Sequence, residues 1–160
     1  MVDKQLLNKT SERLRNLHVT IATAESCTGG LLASLLTDIS GSSEYFDRGF
    51  ITYSNQAKHD LLGVPTQTIN QHGAVSEETA HAMAQGARDR SKVDYAIATT
   101  GIAGPTGGTP TKPVGLVYIA IATPTTVVVR RFQFSGTRLE NKDSACTEAL
   151  RLLNGLLQDR

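Results

Sequence analysis

The chain has 160 residues, the length of one ordinary domain, and its 39% hydrophobic and 19% charged residues are typical of a globular protein that folds in water. With a formal net charge of +1, it offers no strong electrostatic attraction to nucleic acid or to a membrane, so neither is an expected partner. Its two cysteines, Cys27 and Cys146, lie far apart in no metal-ligand spacing, and no apolar run is long enough to span a bilayer. We therefore expect a single domain over residues 1–160 in the cytoplasm, with reduced thiols and with neither a metal nor a cofactor.

The spacing of apolar residues predicts helices and strands in alternation along most of the chain. The predicted elements are helices at residues 3–17, 31–39, 56–62, 77–87 and 137–158, and strands at residues 18–23, 49–53, 94–99, 114–122 and 126–134. Only residues 123–125 separate the last two strands, which is too short for a parallel crossover, so these strands should form an antiparallel hairpin. The elements together predict an α/β fold, a three-layer α/β/α sandwich with a mixed sheet that includes one antiparallel hairpin.

Local signals mark the ends of two of these helices. Ser54 or Asn55 fits the N-terminus of the helix at residues 56–62, and Gly63 fits its C-terminus. Ser76 is a good cap for the next helix, whose face of small residues consists of Ala80, Met83, Ala84 and Ala87. Such a face packs closely either on the chain's own sheet or on another subunit. The second alternative is the basis for expecting a homo-oligomer.

The first candidate functional stretch, residues 24–30 (AESCTGG), joins the first predicted strand to the next helix. Ser26 would lie at this junction, where free backbone N–H groups and the helix dipole favour negative charge. Gly29 and Gly30 carry no side chains, so a ligand can approach the backbone closely. These features suit a nucleophile or an anion-binding loop. The alternative is that Ser26 or Thr28 only caps the helix, because both residue types are favoured caps.

The second candidate stretch, residues 100–113, leaves the end of the third predicted strand, where open α/β sheets usually bind ligands. It holds more glycine than one turn requires: Gly101, Gly104, Gly107 and Gly108. Backbone N–H groups freed by glycine can form an anion-binding nest. The stretch is neither a P-loop nor a dinucleotide fingerprint, so a structural connection between strands is the alternative.

Lys58 is the third candidate, because a serine nucleophile needs a base and no Ser-His-Asp order is evident. A lysine can serve when desolvation lowers its pKa towards neutrality. The alternative is an ordinary solvated lysine on a short helix. His72, in a predicted turn, and His81, on a predicted helix, are weaker candidates.

Six motifs occur in order over roughly residues 15–155 and carry a resemblance to a known family. They are residues 24–30 (AESCTGG), 49–58 (GFITYSNQAK), 72–77 (HGAVSE), 100–105 (TGIAGP), 112–115 (KPVG) and 134–136 (FSG). In these motifs the chain resembles the C-terminal domain family of the competence/damage-inducible protein CinA. The best-understood members of that family are nicotinamide-nucleotide amidohydrolases.

The resemblance implies a Ser–Lys amidase that acts on nicotinamide mononucleotide without a metal. Ser26 would be the nucleophile and Lys58 its base, and Tyr53 would orient Lys58 or pass a proton. Backbone N–H groups near Cys27, Thr28 or Gly101 would stabilise the oxyanion. The residues expected to bind the substrate are Cys27, Thr28, Gly29, Gly30, Thr100, Gly101, Gly104, Gly107, Gly108 and Arg138. Arg138 and the glycine-rich loop are the candidates for the 5′-phosphate, and the alternative for Arg138 is a solvated residue that opens the last helix.

Two positions depart from the family pattern, since Thr106 and Thr137 stand where an Asp is usual. If either Asp shapes the substrate pocket, affinity or specificity differs in this chain. Two non-catalytic functions stay open: a nucleotide-binding module with Ser26 as a cap, and an interaction domain that uses the alanine-rich helix face. The presence of both Ser26 and Lys58 favours the enzyme through the resemblance. We expect their side chains to lie about 2.6–3.2 Å apart.

Overall fold

The computed structural model describes residues 1–158. The helices are α1 (Lys4–Asn16), α2 (Leu31–Thr37), α3 (Asn55–Leu62), α4 (Thr66–His72), α5 (Glu77–Ser91) and α6 (Arg138–Gln158), with a short 3-10 helix at Ser42–Glu44. The strands are β1 (Ile21–Glu25), β2 (Phe46–Ile51), β3 (Tyr95–Gly101), β4 (Leu116–Ala122) and β5 (Val127–Gln133). No helix within residues 1–158 is both long and apolar enough to cross a membrane.

The strands form one mixed sheet in the order β2-β1-β3-β4-β5. Strand β1 pairs in parallel with both β2 and β3, so the carboxyl ends of these three strands meet at one edge of the sheet. Strands β3, β4 and β5 pair antiparallel, and β4 and β5 form the predicted hairpin. The α/β prediction with a mixed sheet is therefore confirmed.

The two faces of the sheet carry side chains of different size, and helices cover both. One face presents large side chains towards α1, α2 and α6: Ile21, Tyr95, Ile97, Ile119 and Ile121. The other presents alanines towards α5: Ala22, Ala24, Ala96, Ala98, Ala120 and Ala122. Because successive residues of a strand point to opposite faces, the Ile–Ala alternation along β3 and β4 builds both layers at once.

Helix α5 lies on the alanine face of the sheet and does not offer its small residues to a partner. Ala80, Ala84 and Ala87 are each fully buried within the single chain, in one cluster with alanines of β1, β3 and β4. The expectation that these three residues contact another subunit is therefore wrong. Small side chains on both surfaces let the helix approach the sheet closely. A homo-oligomer stays a prediction, but it must use another surface.

Helix α3 is held against α5 at a glycine. A Cβ added to Gly86 of α5 would lie 1.9 Å from the Leu62 carbonyl oxygen of α3, so only glycine fits there. Ser54 caps α3 by accepting a hydrogen bond from the Ala57 N–H, and Gly63 ends it with φ at 67°. Both ends match their predicted signals. This packing fixes the helix that carries Lys58.

Several predicted segments differ from the structure. The second strand, expected at residues 49–53, spans Phe46–Ile51, and the helix expected at residues 77–87 continues to Ser91. The first strand begins at Ile21 and not at residue 18, because the N–H groups of His18 and Val19 donate to carbonyls at the end of α1. Helix α4 was not predicted, since only Ile69 of its residues is buried and the apolar spacing is too sparse to indicate a helix. His72 consequently ends a helix and does not lie in the predicted turn.

Candidate active site

Ser26 and Lys58 meet at the edge of the sheet where the parallel strands end. Ser26 directly follows β1, and the Thr52 N–H donates to the Glu25 carbonyl to hold the next chain segment alongside it, at 2.8 Å. Lys58 lies one turn into α3, and its Nζ is 3.0 Å from the Ser26 Oγ. The distance lies within the predicted range, so the alternative of a solvated Lys58 is wrong.

The Lys58 side chain is almost completely buried, with 1% of its surface exposed. Its amine also donates to the Thr52 carbonyl at 3.0 Å and to the Tyr53 carbonyl at 3.2 Å. Burial lowers the pKa of Lys58 from its ordinary value, and the nearby Cys27 partly opposes that change. A neutral amine has two protons and one lone pair. Since the two carbonyls can only accept, the lone pair is left to face the Ser26 hydroxyl.

Ser26 does not cap α2, and neither does Thr28. The helix begins after Gly30, which has φ at 101° and provides no side-chain cap. The buried Glu25 carboxylate takes this role, since it accepts from the Leu32 N–H at 2.8 Å and from the Ala33 N–H at 3.0 Å. The capping alternative for Ser26 and Thr28 is therefore wrong.

The Thr28 hydroxyl belongs to the same buried network. It donates to Glu25 Oε1 at 2.7 Å and lies 2.7 Å from the Thr99 Oγ1 of β3. Sequence reasoning missed both Glu25 and Thr99. No local rule could have found them, because the carboxylate reaches a helix that begins six residues later along the chain. The network supports the chain on either side of Ser26.

The backbone amides that follow Ser26 differ in whether a carbonyl accepts from them. The Ser26 N–H donates to the Thr99 carbonyl at 2.9 Å, and the Gly29 N–H donates to the Ser26 carbonyl at 3.1 Å. Within the part of the chain that the structure describes, no carbonyl accepts from the N–H of Cys27 or Thr28. Thr28 is completely buried, whereas Cys27 keeps 7% of its surface exposed, so the Cys27 N–H is the candidate donor of an oxyanion hole.

A cavity of about 270 Å³ opens at Ser26. Its lining residues are Ser26, Cys27, Tyr53, Asn55, Lys58, Ala74, Val75, Thr100, Gly101, Ile102, Ala103, Gly104, Thr106, Gly107 and Arg138. Four residues that were expected to bind the substrate lie outside this lining: Thr28, Gly29, Gly30 and Gly108. Thr28 is held in the Glu25 network, and a Cβ on Gly108 would lie 2.8 Å from the Val114 backbone nitrogen. Asn55, at the start of α3, and the loop residues Ala74 and Val75 were not predicted to line the site, because side chains without a reactive group carry no sequence signal.

The basic side chains of the lining are Lys58 and Arg138, and no carboxylate is among the lining residues. Arg138 Nη1 donates to the Gly104 carbonyl at 2.7 Å, and its Nη2 donates to the Tyr53 hydroxyl at 3.0 Å. Arg138 is therefore the first residue of α6, and its guanidinium also connects Gly104 on one side of the cavity to Tyr53 on the other. Since Lys58 must be neutral to act as a base, the Arg138 guanidinium supplies the positive charge of the lining, and this charge favours an anionic ligand.

The Cys27 thiol also lines the cavity but is held in its protonated form. Burial raises the pKa of Cys27 to about 12, with the charge of Glu25 acting in the same direction and the charges of Lys58 and Lys142 opposing it. A thiol with this pKa is not a competing nucleophile at neutral pH. No group of three or more His, Cys, Asp or Glu side chains within residues 1–158 is arranged to hold a metal ion.

Comparison with known proteins assigns the family. The family model for the CinA C-terminal domain matches residues 3–157. This chain belongs to the CinA C-terminal domain family. A CinA-like protein of Chlorobium chlorochromatii is 54% identical over 151 residues, which cover 93% of this chain and 36% of that protein. A CinA-like protein of Syntrophobacter fumaroxidans is 52% identical over 157 residues, which cover 98% of this chain and 37% of that protein. The chain thus spans little more than a third of these relatives.

Solved structures of the CinA superfamily share the whole fold. The competence/damage inducible protein CihA from Agrobacterium tumefaciens has a TM-score of 0.94 at 43% identity, and the match covers 98% of both chains. A CinA superfamily protein from Klebsiella pneumoniae has a TM-score of 0.94 at 32% identity, again over 98% of both chains. The family and the fold that the motifs predicted are confirmed.

The two departures from the CinA pattern occupy different places. Thr106 lines the cavity, whereas Thr137 lies outside its lining and caps α6. The Thr137 hydroxyl accepts from the Glu140 N–H at 3.3 Å, and the Glu140 carboxylate accepts from the Thr137 N–H at 2.7 Å. This reciprocal pair is a capping box, in which Asp and Thr are both good caps. Of the two departures, Thr106 is therefore the one that can alter ligand contacts.

Proposed function

We propose that this CinA domain is a nicotinamide-nucleotide amidohydrolase, which converts nicotinamide mononucleotide and water to nicotinate mononucleotide and ammonia. The observation that carries the proposal is the buried Lys58 amine, 3.0 Å from Ser26 Oγ and held by two carbonyl oxygens. An amine whose protons are both occupied and whose pKa is lowered acts as a base towards the hydroxyl. The choice of nicotinamide mononucleotide as the substrate rests on the family resemblance.

The first half of the reaction acylates the serine. Lys58 takes the proton of the Ser26 hydroxyl as Oγ attacks the carboxamide carbon, and the carbonyl oxygen becomes an oxyanion. The N–H group of Cys27 is the candidate donor to that oxygen, and a single such donor is worth about 3–4 kcal/mol in other hydrolases. The Lys58 ammonium then returns the proton to the amide nitrogen, the C–N bond breaks, and ammonia leaves.

The second half releases the acid. A water molecule gives a proton to Lys58 and attacks the acyl carbon, after which the C–O bond to Ser26 breaks and the serine recovers the proton. The Tyr53 carbonyl orients the amine in both halves, whereas the Tyr53 hydroxyl accepts from Arg138. Every proposed proton transfer passes between the substrate, water, Ser26 and Lys58.

The phosphate of the nucleotide is assigned to the other side of the cavity. Arg138 provides a planar pair of donors that suits a phosphate, and Gly101, Gly104 and Gly107 line the cavity beside it. A nucleotide-binding module without catalysis would use the same contacts. The buried amine at Ser26 favours the enzyme, because a binding module gains nothing from burying a lysine beside a serine.

The decisive experiment measures ammonia release from nicotinamide mononucleotide by the wild type and by Ser26→Ala. We expect activity in the wild type and its loss in the variant, with nucleotide binding retained. Ser34→Ala is the matched control, since Ser34 is exposed on α2 and lies outside the cavity lining. Mass spectrometry of the quenched reaction should detect a nicotinoyl-nucleotide ester on Ser26. A wild-type protein that binds the nucleotide but releases no ammonia would be a binding module.

A further inference from the structure

Asn141 lies in the first turns of α6 and is buried, with 1% of its surface exposed. Its Nδ2 donates to the Ala103 carbonyl at 2.9 Å, and its Oδ1 accepts from the Gly136 N–H at 2.9 Å. The orientation of the amide is fixed by chemistry, since a carbonyl can only accept and an N–H can only donate. One side chain thus joins the glycine-rich loop to the segment that leads into α6.

Arg138 and Asn141 act on neighbouring carbonyls of that loop. Three positions apart on a helix, the two side chains lie on one face, and they donate to Gly104 and Ala103 respectively. A ligand can displace the Arg138 contact but not the Asn141 contact. Arg138 is exposed and charged, so an anion competes with the Gly104 carbonyl for its donors. Asn141 is neutral and buried, so a ligand cannot displace its contact with Ala103.

We propose that Asn141 is a positioning residue that holds loop residues 103 and 104 in place while Arg138 turns to the phosphate. The inference rests on the proposed function, because it assumes an anionic substrate at Arg138. Without Asn141, Arg138 is the remaining α6 side chain that holds this loop, and binding an anion releases it. The backbone of Ala103 and Gly104 then moves out of its position in the cavity lining, whereas Ile102 stays held by its backbone hydrogen bonds to Leu116 and Gly115.

The positions of Ser26 and Lys58 do not depend on this clamp, by which we mean the two hydrogen bonds of the Asn141 side chain. Ser26 is held through its N–H to the Thr99 carbonyl, and Lys58 through the carbonyls of Thr52 and Tyr53. Loss of Asn141 should therefore weaken substrate binding far more than it slows the chemistry. Since breaking this buried hydrogen bond leaves the Ala103 carbonyl unsatisfied, we expect KM to rise about tenfold, which corresponds to about 1.4 kcal/mol. The value of kcat should stay within about threefold.

The test compares Asn141→Ala, Asn141→Asp and a matched control in the full chain. Asn141→Asp keeps the acceptor for the Gly136 N–H but cannot donate to Ala103 in its ionised form. Asn154→Ala is the control, because Asn154 is also buried on α6, but its hydrogen bonds join Thr10 and Leu150. We expect both Asn141 variants to raise KM and Asn154→Ala to lower only the free energy of unfolding.

A readout without substrate accompanies the kinetics. Amide hydrogen exchange of the peptide that spans residues 101–108 should be faster in Asn141→Ala than in the wild type, and unchanged in Asn154→Ala. A wild-type KM in Asn141→Asp, or equal changes of KM and kcat in all three variants, would overturn the clamp. If the wild type hydrolyses no nicotinamide mononucleotide, the proposed function fails. The exchange rates then decide the clamp: faster exchange in Asn141→Ala alone supports it, and unchanged exchange overturns it.

Discussion

Gly86 of α5 lies so close to the Leu62 carbonyl of α3 that a Cβ at Gly86 would be 1.9 Å from that oxygen. The contact sets the distance between the helix that packs on the sheet and the helix that carries Lys58. A backbone oxygen cannot move without moving α3. The position of the base therefore depends on a glycine outside the cavity.

We expect Gly86→Ala to lower the free energy of unfolding by about 1–3 kcal/mol, because overpacking of this kind outweighs the helical preference of alanine. Amide hydrolysis should fall as well, since α3 must shift. Gly155→Ala on α6 is the control, as nothing lies within 4 Å of the added Cβ, and this variant should be more stable by up to about 1 kcal/mol. Thermal and urea unfolding measure the stability of both variants. Equal stability of Gly86→Ala and the wild type would contradict the packing argument.

Lys58→Met should reduce kcat by about 10²–10⁴-fold, the usual contribution of a general base. Methionine is similar in length but has no lone pair of sufficient basicity to take the Ser26 proton. Lys9→Met makes the same substitution at an exposed position of α1 and should leave kcat unchanged. Steady-state ammonia release checks both variants. A Lys58→Met protein that turns over at the wild-type rate rules out Lys58 as the base.

The lowered pKa of Lys58 should appear in the pH dependence of stability. Between the folded pKa and the unfolded value of about 10.4, the unfolded chain binds more protons than the folded chain. The free energy of unfolding therefore rises with pH in this window, by at most about 1.4 kcal/mol per pH unit, and the gain is lost as pH falls towards the folded pKa. Urea unfolding of wild type and Lys58→Met from pH 6 to 10 measures the difference. Parallel curves for the two proteins would mean that burial leaves the Lys58 pKa unchanged.

The same pKa should control activity. The rate of Ser26 acylation should rise with pH as Lys58 loses its proton and level off above the folded pKa. The measurement is the pH profile of kcat/KM for ammonia release. A rate that falls as pH rises through the neutral range would argue against a base that must be neutral.

Arg138→Ala should raise KM for nicotinamide mononucleotide by about 10- to 100-fold, since hydrogen bonds to charged groups contribute about 1.5–3 kcal/mol. Arg138→Lys should recover only part of the loss, because an ammonium cannot donate in parallel from a planar fork. In both Arg138 variants, kcat should change less than KM. If Arg138→Ala binds the nucleotide as tightly as the wild type, the phosphate lies elsewhere in the cavity.

Cys27 should be unreactive in the native protein despite lying next to the nucleophile. Its pKa of about 12 and its 7% exposure leave almost no accessible thiolate at pH 7.5. Iodoacetamide should label neither of the two cysteines until the chain is unfolded, and Cys27→Ala should keep most of the activity. Stoichiometric alkylation of native Cys27 would show that the thiol is far more acidic than its surroundings imply.

Much of the fold is encoded in local sequence. The Ile–Ala alternation of β3 and β4, the three-residue connection of the hairpin, and the signals at Ser54 and Gly63 depend on neighbours within a few positions. Residues 24–30 and 100–113 follow two strands that pair in parallel, so both stretches lie at one edge of the sheet. Motifs in order along the chain were enough to indicate the family. Helix α4, with one buried residue, left too weak a pattern to be predicted.

Only the tertiary structure decided what environment each candidate residue occupies. From the sequence alone, Lys58 could be either a solvated lysine or a base. In the folded chain α3 packs against Gly86, and the Lys58 amine is buried beside Ser26. The capping of α2 by Glu25 and the clamp of Asn141 on Ala103 join residues that no local rule connects. Burial and hydrogen-bond partners arise from contacts between distant segments, which the order of residues within one segment does not specify. For that reason local sequence indicates the family and most of the elements, whereas the pKa of the base and the support of the loop depend on the assembled fold.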